Sequence, residues 1–528
     1  MTGEQTDAAD KTAAFNGRLA LLLAMAMFVL VVDTSIMNVS ISAVVHDLHS
    51  TVSSVQSAIA LEALVSAAFI LIGSKVGDLI GRKRAYVIGL LAYAAGAIAM
   101  TFAQTILAII VFWAIIGGLG ASLLLPAMQS LIHGNFHGAG QTRAYALVGA
   151  SAAIAAAVGP LLGGFITTFL SWRVAFALEA VIIAVVLFGI KLVHDVPYTG
   201  SRAVDWIGSL LSVVGMGGIV LSILAWQEGI GSVGVLLGVG VLGLVGLVFW
   251  LRRRKRLSKA TLLDPELFRS KHFRFGISQQ MLQQIALGGT MIVLPIYLQM
   301  VFEYNALQAG LSIAPLSLTM FAIAALAGRR AGRRRPVVLI RWGFALLCLG
   351  LVILIPIVPR ADSGWWLLGP LVIAGAGLGF MVSQLNNYTL SPISDERVSE
   401  AAGVNSAAGS FGLSFGLAFA GAILLAALVP IFTDLTTSST VLPEAEQQQI
   451  VQTLEHDAEV MSNTQLEKQL EGQPADVKAE VIRINTEARP LALQIALLVP
   501  LLAGLIGLFL SFRMIRLPDI VVKEIPAL

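Results

Sequence analysis

Gly73-Ser-Lys-Val-Gly77-Asp78-Leu-Ile-Gly81-Arg82-Lys83-Arg84 closes one long apolar run, residues 55–72, and opens another, residues 85–103. Three glycines, one aspartate and a basic cluster therefore occupy the turn between two expected membrane spans. Gly73 and Gly77 lie four residues apart and present a smooth helix stripe that admits close backbone approach. Asp78 and Arg82 share the same spacing, which allows them to interact along a helix turn. The basic residues by themselves read as an anchor on the positively charged side of a membrane. That reading leaves the aspartate and the spaced glycines unexplained.

Composition agrees with a membrane setting. The 528 residues are 57% hydrophobic and 12% charged, and the mean hydropathy is +0.85. Soluble chains carry roughly 25% charged residues, so this one lacks the polar surface to cover a water-soluble particle of its size. The single cysteine, Cys348, excludes an internal disulfide and a cysteine metal cluster. The seven histidines are scattered; His133 and His137 share a helix face only if their connector is helical, and read as solvated connector residues. No metal and no cofactor is expected.

A span needs about 20 apolar residues. Fourteen such runs are predicted, at 19–43, 55–72, 85–103, 106–130, 144–169, 174–193, 206–226, 231–251, 275–302, 309–327, 337–358, 364–388, 401–432 and 491–512. The first is expected to stay as a span, because its apolar core runs to full length past Asp33 without a clear cleavage site. With the N-terminus placed in the cytoplasm, 28 of the 34 Lys and Arg fall on the inner side and six on the outer. Positive residues are retained inside, so both termini, 1–18 and 513–528, are expected to be cytoplasmic. The cluster Arg252–Arg256 with Lys259 abuts a span and fits anionic lipid headgroups better than nucleic acid.

Residues 433–488 stand apart, with eleven acidic against three basic residues. A helical pattern from Pro443-Glu444 and the capping-box spacing of Thr464 and Glu467 predict a small exposed helical pair. It reads either as a lid or docking surface for an envelope partner over the outer mouth, or as a solvated loop extension.

The chemistry lies in ionisable residues inside spans, which cost roughly 2.5–3.5 kcal/mol each on insertion scales. Asp33 follows Phe28–Val32, and Glu62 lies within Ser57–Ser66. Burial disfavours the charged form of a carboxylate, so each is a candidate to load and release a proton as a cavity alternates between wet and dry. A structural hydrogen bond to a neighbouring helix is the competing reading. Glu179, near the end of a span after Trp172-Arg173, is expected to form a local ion pair.

Residues 73–84 resemble the signature loop between the second and third helices of the major facilitator superfamily. Asp33-Thr34 with Asn38-Val39 resembles the first-helix motif of its fourteen-span drug:proton antiporters. Gly159-Pro160-Leu-Leu-Gly163-Gly164 resembles the motif of the antiporter branch, and Leu263–Phe268 with Phe273, and Gln308–Gly310 with Pro315, look similar to it as well. The resemblance implies an all-α integral membrane protein with fourteen transmembrane helices. Two six-helix halves, 19–193 and 275–512, would flank two inserted helices, 206–251. It further implies a gating latch at Gly73, Gly77, Asp78, Gly81, Arg82 and Lys83. Pro160, lacking a backbone donor, and its flanking glycines would let the fifth span bend and approach a neighbour.

The chain departs from that family in its fourth span. There Ala114 and Gly117 stand where an arginine and a glutamine are usual, which removes an arginine associated with proton coupling. Gly328–Pro336 echoes the opening loop without its aspartate. Repeat-built transporters bind substrate near the midplane. The candidate lining residues are Gln279, Gln280, Gln283 and Gln284 of the ninth span, with Gln384, Asn386 and Asn387 of the twelfth. Inter-helix hydrogen bonding is the alternative for each. No phosphate-binding loop occurs, and no enzyme activity is expected. The expected function is secondary, proton-coupled export of hydrophobic or amphipathic compounds, with membrane lipids and protons as the other partners. The alternatives are export of a lipid or endogenous metabolite, and a non-transporting receptor or assembly factor.

Overall fold

The computed structural model describes residues 16–136, 138–195, 205–227, 229–329, 335–393, 397–442, 463, 466–467, 470 and 473–517. Among them there is no strand, and fourteen helices are long and apolar enough to cross a membrane. In chain order these spans are Gly17–Val39, Val52–Ile80, Arg82–Thr101, Ile106–Asn135, Arg143–Phe169, Trp172–Leu192, Trp206–Gln227, Val233–Arg256, Lys271–Val301, Ala306–Ala327, Pro336–Arg360, Gly364–Leu390, Glu400–Thr437 and Ala475–Met514.

Polar residues at the helix starts hold several of these ends, because the first N–H groups of a helix need acceptors. Asn16 accepts from the Leu19 N–H at 3.1 Å, Thr51 from Ser54 at 3.1 Å, and Ser270 from Phe273 at 3.3 Å. Between the second and third spans the chain turns at Gly81, whose φ of +100° suits a residue without Cβ.

The fourteenth span begins sixteen residues before the apolar run predicted at 491, at Ala475. Val477, Val481, Ile484 and Ala488 recur at helical spacing and are buried, although the polar residues between them hide that pattern from a hydropathy reading. The predicted helix from Pro443 and the Thr464 end of the capping box lie outside the described residues. So does most of the echo at 328–336.

The first six spans and the last six pack as two groups joined along two seams. The second span lies on the thirteenth, and the fifth on the tenth. The seventh lies beside the second and thirteenth, and Gln227 Nε2 donates to Gln56 Oε1 at 2.5 Å. The eighth crosses the seventh on glycines; a Cβ at Gly218 would stand 2.6 Å from Gly240 Cα. Its other side presents Val235, Leu242 and Phe249 outward, as a lipid-facing helix does.

At the end of the molecule that carries the basic clusters, charges tie the inserted pair to the second group. Lys255 Nζ meets Asp264 Oδ2 at 2.9 Å, Arg397 Nη2 meets Glu266 Oε2 at 3.1 Å, and the Asp264 N–H donates to Glu400 Oε1 at 2.5 Å. Partial burial opposes ionisation of Asp264, but the Glu266 N–H and the Lys255 ammonium outweigh it and hold the carboxyl below its ordinary range.

Candidate functional site

Asp33 is buried in the first span, 1% exposed. Trp113 Nε1 of the fourth span donates to both of its oxygens, at 2.9 and 2.8 Å, and the Tyr93 hydroxyl of the third span donates to Oδ2. A carboxylate only accepts hydrogen bonds, so this cage suits the ionised form. Two backbone features build it. Residues Ile109–Gly117 form a π-helical stretch, a widened turn that re-aims side chains. Gly96 lets the third span close on it, since a Cβ there would lie 2.8 Å from the Phe112 carbonyl oxygen. Phe176 packs edge-on against Trp113 at 6.3 Å and fixes the indole from the sixth span.

Glu62, 8% exposed on the second span, faces the same region and lies within electrostatic reach of Asp33. Among the described residues it takes no hydrogen bond and no ion pair, so the alternative of a bond to a neighbouring helix does not hold here. Glu179 departs from expectation. It is 2% exposed, and among the described residues neither of its oxygens has a hydrogen-bond partner. The expected ion pair does not form, because Arg173 instead binds the Asp47 carboxylate, and its Nε donates to the Ala103 carbonyl at 3.0 Å. Six residues of helix separate Arg173 from Glu179 by about 9 Å and put them on different faces.

The 73–84 loop is a folded unit. Gly73 presses against the Ser122 carbonyl of the fourth span, and Asp78 pairs with Arg82, both nearly buried. The Arg82 guanidinium also donates to the Ser74 carbonyl at 3.3 Å. Lys83 ties the loop to the segment after the sixth span, through its N–H to Asp195 at 2.9 Å and its ammonium to the Val193 carbonyl at 2.7 Å. Gly81 sits on the same aspartate.

In the fifth span the four motif residues divide between two neighbours. A Cβ at Gly159 would stand 2.5 Å from Ser35 Cβ, and one at Gly163 2.8 Å from Ile36 Cα, so both admit the first span. On the other side Gly164 receives Ala306 and Leu307, and the Pro160 carbonyl lies against Gly310 of the tenth span. Leu307 N–H donates to Thr168 Oγ1 at 3.1 Å alongside. The motif thus forms the seam between the two groups of spans.

Comparison with known proteins places this arrangement. The sequence model of the Major Facilitator Superfamily matches residues 23–206 and 198–417. The chain belongs to the major facilitator superfamily. It is a multi-pass membrane transporter, not an enzyme. Among curated relatives it is 26% identical to the Multidrug export protein EmrB of Escherichia coli, over 75% of this chain and 78% of the relative. It is 29% identical to the Multidrug resistance protein Stp of Mycobacterium tuberculosis (73% and 72% covered). It is 25% identical to the Probable actinorhodin transporter of Streptomyces coelicolor (72% and 67%). Among solved structures, a bacterial homolog of the human lysosomal transporter Spinster, in an inward-facing and unoccupied conformation, superposes with a TM-score of 0.60 at 14% identity, covering 96% of this chain and 98% of that one. The peptide transporter POT in complex with sulfate gives 0.58 at 16% identity, with 98% and 99% covered.

Against the superfamily pattern, the fourth-span departure acquires a structural answer. Ala114, in the position where the sequence comparison expected arginine, is fully buried, and its neighbour Trp113 supplies the donor that reaches Asp33. Sequence reading passed over Trp113 and Tyr93 because aromatic residues in apolar runs look like packing.

The candidate lining residues separate. Gln279 is fully buried and donates to the Gly507 carbonyl of the fourteenth span at 2.9 Å, an inter-helix bond in place of the expected lining role. Gln283 is 2% exposed and buried as well. Gln280 and Gln284 turn toward Gly409 of the thirteenth span, the Gln280 amide 3.3 Å from where a Cβ would stand. Asn386 is exposed and accepts from Asn405 at 2.7 Å; Asn387 is half-buried beside it. His133 contacts Gln141 at 2.7 Å, His137 lies outside the described residues, and no metal-holding cluster occurs among the described ones.

Proposed function

We propose that this protein is a proton-coupled exporter of lipophilic or amphipathic compounds, working by alternating access in the cell membrane with both termini in the cytoplasm. One observation carries the proposal: Asp33 is buried in a span, caged by Trp113 and Tyr93, and without a basic partner among the described residues. Each proton entering along the field releases about 2.3 kcal/mol per 100 mV, and Asp33 is the group that takes it up. The named functions of the EmrB, Stp and actinorhodin relatives support drug-like substrates. The distribution of Lys and Arg supports the orientation.

In this reading Gly73, Gly77, Asp78, Gly81, Arg82 and Lys83 form the cytoplasmic gate. Glu62 assists Asp33. Gln280, Gln284, Asn386 and Asn387 meet the substrate. The acidic stretch between the thirteenth and fourteenth spans is a docking surface for a partner in the envelope.

The test is flux of tetraphenylphosphonium and ethidium in liposomes carrying the purified protein. A proton gradient is expected to drive both. Asp33→Asn is expected to bring gradient-driven flux to the level of empty liposomes while the protein remains monodisperse. Unchanged flux in Asp33→Asn removes Asp33 from coupling, and no gradient-driven flux of any probe refutes export.

A further inference from the structure

Glu179 is a buried ionisable group with no part in the proposed gate or in the Asp33 cage. Its carboxyl lies 2% exposed in the sixth span, and neither oxygen has a hydrogen-bond partner among the described residues. It stands within electrostatic reach of Asp33 and of Tyr93, the residue whose hydroxyl binds Asp33. The sixth span packs on the first, third and fifth. The titratable groups facing Glu179 from these helices are Asp33 and Tyr93, with Glu62 of the second span beyond Tyr93. The fifth span brings Arg143 and Tyr145 only at its basic end, where the Tyr145 hydroxyl meets the Gln129 carbonyl at 3.1 Å. Arg173 is occupied by Asp47. Among the described residues no cation pairs with any of the three carboxylates.

An ionised carboxylate buried without donors or a counter-charge is prohibitively costly, and such a group takes a proton instead. Asp33, with its oxygens satisfied by an indole and a phenol, can carry the negative charge; Glu179 cannot in this conformation. Neighbouring carboxylates also disfavour each other's ionisation. A state with both acids ionised at once is therefore the costly one.

We propose that Glu179 is a second proton-carrying carboxylate of the transport cycle, one that keeps its proton in the conformation shown, where the indole and phenol donors suit an ionised Asp33. It takes its proton from water on the side where Asp33 takes up its own and returns it to water on the side where Asp33 returns its own, with no other bond made or broken. This rests on the proposed proton coupling and adds to it a second proton per cycle.

The experiment is the tetraphenylphosphonium gradient at which net flux vanishes under a fixed proton gradient and membrane potential in proteoliposomes, which reads protons per cation. The wild type is expected at about two protons per cation, Glu179→Gln at about one, and Glu179→Asp near the wild-type ratio, each proton carrying one charge through the field. An equal ratio in wild type and Glu179→Gln, with proton-driven flux intact, overturns the inference and leaves the export reading standing. Absence of proton-driven flux in the wild type overturns both. Should Glu179→Gln fail to assemble, infrared spectra of Glu62→Gln protein with isotope-labelled glutamate decide. A protonated glutamic acid band at neutral pH that is absent from the same protein carrying Glu179→Asp supports the role, and a spectrum unchanged by Glu179→Asp refutes it.

Discussion

The decisive side chains are few and come from the first, third, fourth and sixth spans. Asp33 was visible in the sequence because a charge inside an apolar run demands an explanation. Its partners were not. Trp113 and Tyr93 lie in stretches where every neighbour is apolar, and only the fold shows that their polar tips converge on a carboxylate. Glu179 was misjudged for a related reason: proximity to Arg173 in sequence suggested a pair, whereas helix rotation aims the two apart. The Trp113 contact allows a direct test. Hydrogen bonds to a charged group contribute roughly 1.5–3 kcal/mol, so Trp113→Phe, which keeps the ring and removes the donor, is expected to lower proton-driven flux about tenfold or more. Rates measured in proteoliposomes against the wild type would check this, and Tyr93→Phe, which removes the other donor to Asp33, is expected to fall as well. Wild-type rates in Trp113→Phe would mean that the indole only fills space.

Helix-level features were legible to different depths. The Gly159–Gly164 motif announced close approach from its composition, and the structure adds what approaches: the first span on one side and the tenth on the other. Gly310 is the tenth span's half of this contact. Gly310→Val would force a branched side chain onto the Pro160 carbonyl, and overpacking of this kind costs about 1–3 kcal/mol. The expected outcome is a protein that inserts and purifies but melts lower in a thermal scan and loses most of its transport. Retained transport with an unchanged melting temperature would show that the seam is loose. The π-helical turn at Ile109–Gly117 was not legible at all, since nine consecutive apolar or small residues carry no signal for the winding of their backbone. The early start of the fourteenth span was hidden for a different reason, as exposed polar residues such as Arg483, Thr486 and Glu487 alternate with its buried apolar ones.

At the scale of the whole molecule, a side-chain staple joins the two groups of spans at the end opposite the basic clusters. Gln299 of the ninth span accepts from the Ser42 N–H at 3.1 Å and donates to the Val39 carbonyl at 3.1 Å, joining the two groups of spans across their mouth. Alternating access requires such a staple to break and reform. Ser42→Cys combined with Gln299→Cys, in a Cys348→Ser background, is expected to form a disulfide under oxidant that stops transport, with recovery on reduction. Crosslinking without loss of transport would exclude opening at this mouth.

Sequence alone determined the membrane setting, the number of spans, the superfamily and the presence of a buried acid in the first span. Each of these follows from composition, periodicity or a local motif, and each is set by residues near one another in the chain. Tertiary structure decided which groups answer that acid, which glutamines face a neighbour and which lie buried, and that Glu179 is buried within reach of Asp33 rather than paired with Arg173. Those outcomes depend on helix rotation and crossing between segments up to hundreds of residues apart. A run of apolar letters does not encode them, because lipid and protein interior are alike in favouring apolar side chains.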